Sequence, residues 1–113
     1  MAEAVDHGQP WLVTGGAGWL GTNLLNHLVA SGRAVRALAL PSEALALRAR
    51  FGAAVDVFEG DVRDQVAVGR WAAGADGATV VHLAGVIHPR KMTDFQTMNV
   101  DGTRNLLEAA LAA

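Results

Sequence analysis

Seven residues near the amino end, Gly15-Gly16-Ala17-Gly18-Trp19-Leu20-Gly21, put glycines where a chain turns sharply and lets other atoms approach its backbone. Gly16, Gly18 and Gly21 fit the spacing G-x-G-x-x-G. The flanking segments narrow what this turn can belong to. Before it, Trp11-Leu12-Val13-Thr14 is a short apolar run that reads as a buried strand. After it, Leu20, Leu24, Leu25, Leu28 and Val29 recur at helical spacing until Gly32 supplies a stop signal.

The same alternation runs through the rest of the chain. Residues 34–40 read as a second strand, and Pro41-Ser42 opens a helix carrying Leu45, Leu47 and Phe51 up to Gly52. Residues 55–58 and 79–83 read as further strands, separated by a helix over residues 64–73 that Gly69 weakens. Thr93 and Gln96 have capping-box spacing, so a last long helix is expected from there, with Phe95, Met98, Leu106, Leu107, Ala110 and Leu111 on its apolar face. Strands alternating with helices pair in parallel, because right-handed crossovers place helices on both faces of the sheet. The expected fold is α/β: the first half of a Rossmann-type, doubly wound parallel sheet of about four strands.

In that setting the glycine turn becomes a phosphate cradle. Gly16 is expected to permit the tight turn, Gly18 to clear the approach of a pyrophosphate, and Gly21 to let helix and strand pack closely. The free N–H groups and positive dipole end of the helix favour an anion without any basic side chain. The alternative is a strand-to-helix turn that holds no ligand.

Composition removes other classes. The 113 residues are 51% hydrophobic and 18% charged, the balance of a packed domain and not of a disordered chain. The net charge is −2 and the basic residues form no stripe, so nucleic acid is not expected as a partner. No apolar run approaches the roughly 20 residues that span a bilayer, so no membrane association is expected. Residues 1–10 contain Glu3 and Asp6 and lack the pattern of a signal peptide, and there are no cysteines, which fits a cytoplasmic setting.

Four blocks then resemble the extended short-chain dehydrogenase/reductase family, which includes nucleotide-sugar epimerases and dehydratases. Thr14 through Gly21 is similar to that family's TGxxGxxG, with an aromatic at Trp19. Gly60-Asp61-Val62-Arg63-Asp64 and His82-Leu83-Ala84-Gly85 look like the segments after its third and fourth strands. Residues 99–110 resemble its NVxGTxNLLEAA helix.

The resemblance implies cofactor contacts at Gly15, Gly18, Trp19, Leu20, Gly21, Asp61, Val62, Leu83, Ala84 and Gly85, with Asp61 on the adenine. It also implies that Asn99 distorts its helix and helps a proton relay. Each residue has a plainer reading beside this one. Asp61 can cap the third helix, Asn99 can face solvent, and His82 reads as a hydrogen-bonded core histidine.

The choice of dinucleotide stays open between NAD and NADP. The acidic residue usual for NAD, about 20 residues past the glycines, is missing near Ala39, and Leu40 offers no base for a 2′-phosphate. Ser42 is a candidate for the ribose or its phosphate, although capping the second helix is the plainer reading.

In the family a tyrosine and a lysine four residues later transfer the proton. This chain has no tyrosine, and Lys91 lies before the last helix. Residues 1–113 are therefore expected to be one NAD(P)-binding domain with a flexible lead at 1–10, cut short at its carboxyl end and open to dimerisation. In the longer enzyme it would serve reversible hydride transfer on a nucleotide-sugar. The alternatives are a non-catalytic dinucleotide-binding or assembly module, and a reductase of hydroxysteroid-like or dihydroflavonol-like ketones.

Overall fold

The computed structural model of the chain describes residues 9–84 and 99–112. Within these, β1 (Trp11–Thr14), α1 (Trp19–Ala30), β2 (Val35–Ala39), α2 (Pro41–Phe51), β3 (Asp56–Glu59), α3 (Gln65–Ala72), β4 (Thr79–His82) and α4 (Gly102–Ala112) follow one another, with a 3-10 turn at Gly52–Ala54. The four strands form one parallel sheet in the order β3-β2-β1-β4. Its winding direction reverses between β1 and β4, and that reversal opens a crevice at the carboxyl ends of the strands.

Apolar residues fill both faces of the inner strands, as burial under helices on two sides requires. Val13, Ala37 and Ala39 join Leu25, Leu28 and Leu47 beneath α1 and α2. Their neighbours Leu12 and Leu38 point the other way and meet Val68, Trp71 and Leu106 of α3 and α4.

The ends of the helices follow local chemistry. After α1, Gly32 takes φ 73, Arg33 N–H bonds the Leu28 carbonyl and Gly32 N–H bonds that of Val29, closing a Schellman motif. Asp64 begins α3 by accepting from the N–H groups of Val66 and Ala67.

The expected strands and the first three helices are present, with shifts of one or two residues. Asp64 caps α3 and does not belong to it, and Val55 is buried just ahead of β3. At the last helix, residues 99–101 form a wider, π-type turn before α4. Thr93 and Gln96 lie outside the described residues. Among the described residues β4 pairs only with β1.

Candidate functional site

A cleft of about 290 Å³ opens at the carboxyl ends of the strands. Gly15 and Gly18 line it at the end of β1, Leu38 and Leu40 at β2, Gly60, Asp61 and Val62 after β3, and Leu83 and Ala84 after β4. Four segments distant in sequence converge there because parallel strands deliver their carboxyl ends to one edge.

At the glycine turn the residue with positive φ is Gly15, at 73. A Cβ on it would lie 2.6 Å from the Leu83 carbonyl carbon and 2.7 Å from Ala84 N. Gly16, expected to permit the turn, is a central residue of it, since the bond from Gly18 N–H to the Gly15 carbonyl closes over Gly16 and Ala17; its φ is not positive, and a Cβ there would press on Leu25 Cδ1 at 2.9 Å. Its smallness serves packing beneath α1. Gly21 also serves packing, since its Cβ would fall 2.0 Å from the Gly15 carbonyl oxygen.

Gly18 differs from these. It faces the cleft as the residue that starts α1, and its Cβ would meet only Gly15 O, at an ordinary 3.5 Å. No side chain caps α1 and its first turn carries no acid. The first-turn N–H groups of Trp19, Leu20 and Gly21 therefore lack intrahelical acceptors. The Trp19 and Leu20 side chains project into solvent, 83% and 58% exposed, so what they offer an anion is backbone N–H.

Across the cleft, Asp61 does not cap α3, a role that Asp64 takes. The Asp61 carboxylate accepts from the Arg63 side chain at both oxygens and from Arg63 N–H. The bonds from the Arg63 side chain hold Asp61 below the usual carboxylate range, against the opposing effect of its partial burial. Asn105 of α4 donates to the Val62 carbonyl at 2.9 Å and so braces this wall.

Ser42 does not cap α2. Leu40 occupies the cap position, Pro41 begins the helix, and the Ser42 side chain is exposed at its second residue, away from the lining of the cleft. The next residue, Glu43, does line the cleft, and its Oε1 accepts from Leu40 N–H at 3.3 Å. Sequence reasoning missed Glu43 because it looked for an acid at the end of β2. The available signal was a glutamate three residues past the helix start, the position from which a side chain reaches back to the cap.

The wall formed by Leu83 and Ala84 is fixed by Thr14, which is fully buried. Thr14 Oγ1 accepts from Leu83 N–H at 3.0 Å and Ala84 N–H at 3.1 Å, so these two amides are already engaged. The hydroxyl also lies 2.6 Å from His82 Nδ1, while His82 Nε2 lies 3.0 Å from Thr103 Oγ1, which donates to the Asn99 carbonyl at 2.6 Å.

This network fixes the tautomer. Thr103 has spent its hydrogen on Asn99, so Nε2–H donates to Thr103, and bare Nδ1 accepts from Thr14. A proton on Nδ1 would face an oxygen whose lone pairs are both taken.

Burial likewise pushes the His82 pKa below its ordinary 6.5. The unfolded chain then binds the proton more readily, so the stability His82 contributes is fully present above about pH 6.5 and is lost as pH falls through its lower folded value. Thermal melts of wild type between about pH 7.5 and pH 5 should fall more steeply than those of His82→Asn. Parallel curves would assign the acid sensitivity to other groups.

Arg36 donates to the Trp71 and Ala73 carbonyls, and Arg48 pairs with Glu59, so neither serves the cleft. Gly85 and Lys91 lie outside the described residues. Among the described residues no cluster of metal-ligating side chains occurs, and no helix is long and apolar enough to cross a membrane.

A family model described as the NAD dependent epimerase/dehydratase family matches residues 11–113. The UDP-glucose 4-epimerase of Streptomyces lividans is 37% identical over 113 residues, covering 91% of this chain and 32% of that protein. The Bordetella bronchiseptica enzyme WbmG in complex with NAD has a TM-score of 0.79 at 28% identity, covering 97% of this chain and 36% of that one. Uronate dehydrogenase from Agrobacterium tumefaciens has a TM-score of 0.70 at 30% identity, covering 92% and 36%. The chain thus spans about a third of the length of the relatives it matches.

Proposed function

The chain belongs to the NAD dependent epimerase/dehydratase family, and from that premise we propose that it is the cofactor-binding portion of an enzyme that transfers hydride reversibly on a nucleotide-sugar. The observation that carries the binding part is the first turn of α1. Uncapped and free of acids, it stands over a cleft in which Gly18 leaves a side-chain volume empty. A pyrophosphate fits that place, because backbone N–H groups and the helix dipole supply the attraction and no side chain blocks the approach. The adenosine half would lie along Gly60, Asp61 and Val62, and the nicotinamide half toward Leu83 and Ala84.

A nicotinamide cofactor held there would supply the hydride chemistry. The residues of this chain bind and orient it, and Asn99, at the distorted start of α4, would help hold a water of the proton relay. No tyrosine is present in the chain, so the acid–base step itself is assigned to none of its residues. The nucleotide-sugar reading draws on the UDP-glucose 4-epimerase, and on WbmG, whose structure with both NAD and UDP is known. A cytoplasmic setting fits a chain without cysteine.

Calorimetric titration tests the cradle. Wild type should bind NAD, and Gly18→Val should weaken binding by about 100-fold, some 2.7 kcal/mol, while the melting temperature changes little. The fold accepts a Cβ at this position, so a loss of affinity would report on the ligand alone. Undiminished binding by Gly18→Val, or no binding by folded wild type, would reject the cradle.

A further inference from the structure

Two helix N-termini serve the same cleft, and they are furnished oppositely. That of α1 has neither a capping side chain nor an acid in its first turn. That of α2 carries Glu43 in its first turn, with Oε1 held by Leu40 N–H. One positive dipole end is left for an incoming anion, and the other is already satisfied by the protein's own carboxylate.

We infer that Glu43 is the residue that makes the site prefer NAD over NADP, taking from the first turn of α2 the part usually played by an acid at the end of the second strand. The inference rests on the dinucleotide reading of the cleft. Ala39 and Leu40, where that acid would stand, end β2 without a polar side chain, and Leu40 lines the cleft beside Glu43. A carboxylate held there accepts hydrogen bonds from ribose hydroxyls, which are charge-assisted and stronger than neutral ones.

A 2′-phosphate meets the opposite situation. The ionisable residues among the described lining are Glu43 and Asp61, both acidic. The nearby cations are committed: Arg63 to Asp61, Arg48 to Glu59, and Arg36 to carbonyls beside α3. A phosphate at this end faces like charge, while the pyrophosphate at the α1 end does not.

The test is titration of the intact chain with NAD and with NADP, in wild type and in Glu43→Gln. Glutamine retains an oxygen to accept from Leu40 N–H, since Gln serves as well as Glu in a capping box, so the substitution removes charge while keeping the cap. Wild type should bind NAD at least about tenfold more tightly than NADP, and Glu43→Gln should narrow that ratio at least about fivefold at an unchanged melting temperature. The wild-type ratio should also shrink as salt rises from about 0.05 M to about 0.5 M, because the rejection is electrostatic.

Equal wild-type affinities, an unaltered ratio in Glu43→Gln, or a salt-independent ratio would overturn the role of Glu43. NAD binding that Gly18→Val abolishes would still stand in those cases. Failure of folded wild type to bind either dinucleotide would overturn the cradle, and this inference with it.

Discussion

Gly21→Ala should melt at least about 12 °C below wild type, although alanine is the better helix former. Residue 21 lies inside α1, where exchanging glycine for alanine would by propensity alone stabilise by about 1 kcal/mol. Contact geometry reverses the sign. The new Cβ would fall 2.0 Å from the Gly15 carbonyl oxygen, 2.7 Å from Gly16 Cα and 2.8 Å from Gly15 C. All three are backbone atoms of the turn and cannot swing aside as a side chain would.

The helix must lift or the turn must open, a cost at the upper end of the overpacking range, about 3 kcal/mol or more. In a domain of this size each kcal/mol shifts the midpoint by roughly 4–8 °C. NAD binding should be lost as well, because the displaced atoms are those of the proposed cradle. Circular dichroism melts of Gly21→Ala beside Gly18→Ala give the comparison. A Gly21→Ala midpoint within about 2 °C of wild type would show that α1 and the turn are not in the contact described.

Trp71→Ala should bring the chain close to unfolding. The indole is only 1% exposed and lies among Leu12, Leu38, Val68 and Leu106, where α3 and α4 meet the sheet. Truncating a buried tryptophan costs about 3–5 kcal/mol, out of a total stability of about 5–15 kcal/mol for most domains. A polar contribution adds to this. Indole Nε1–H donates to the Arg36 carbonyl at 3.2 Å, and Arg36 Nη1 returns a bond to the Trp71 carbonyl at 2.7 Å. The first of these bonds is lost with the side chain.

Trp71→Phe keeps most of the volume and loses the N–H, so its penalty should be nearer 1 kcal/mol. Urea unfolding followed by circular dichroism separates the two. Similar midpoints for Ala and Phe would place the contribution of Trp71 in its hydrogen bond instead of its packing.

How much could be read without coordinates depended on the range of the cause. The four strands and the helices between them were legible because each announces itself within a dozen residues: Leu12 and Val13 by apolar character, Leu24, Leu25 and Leu28 by spacing, Gly32 by its stop. The glycine turn was legible for the same reason, since Gly15 through Gly21 lies between two recognisable elements. The division of labour among its glycines was not. Gly15 and Gly16 are alike in sequence, and only the folded backbone gives Gly15 a positive φ against Leu83 and sets Gly16 against Leu25.

Other parts of the site depended on contacts that no local pattern encodes. Glu43 reaches the cleft because β2 ends at Ala39 and α2 starts immediately, which turns the third residue of the helix back toward the strand ends. The chain from Thr14 through His82 and Thr103 to the Asn99 carbonyl links residues 68 and 21 positions apart.

The sequence by itself determined the alternation of strand and helix, the apolar faces of the inner strands and the glycine turn, because these follow from backbone conformation and side-chain period within a few residues. The tertiary structure alone decided which glycine takes a positive φ, which carboxylates line the cleft, and which nitrogen of His82 bears the proton. Those depend on distances between segments, and such distances exist only once the sheet has brought its carboxyl ends together.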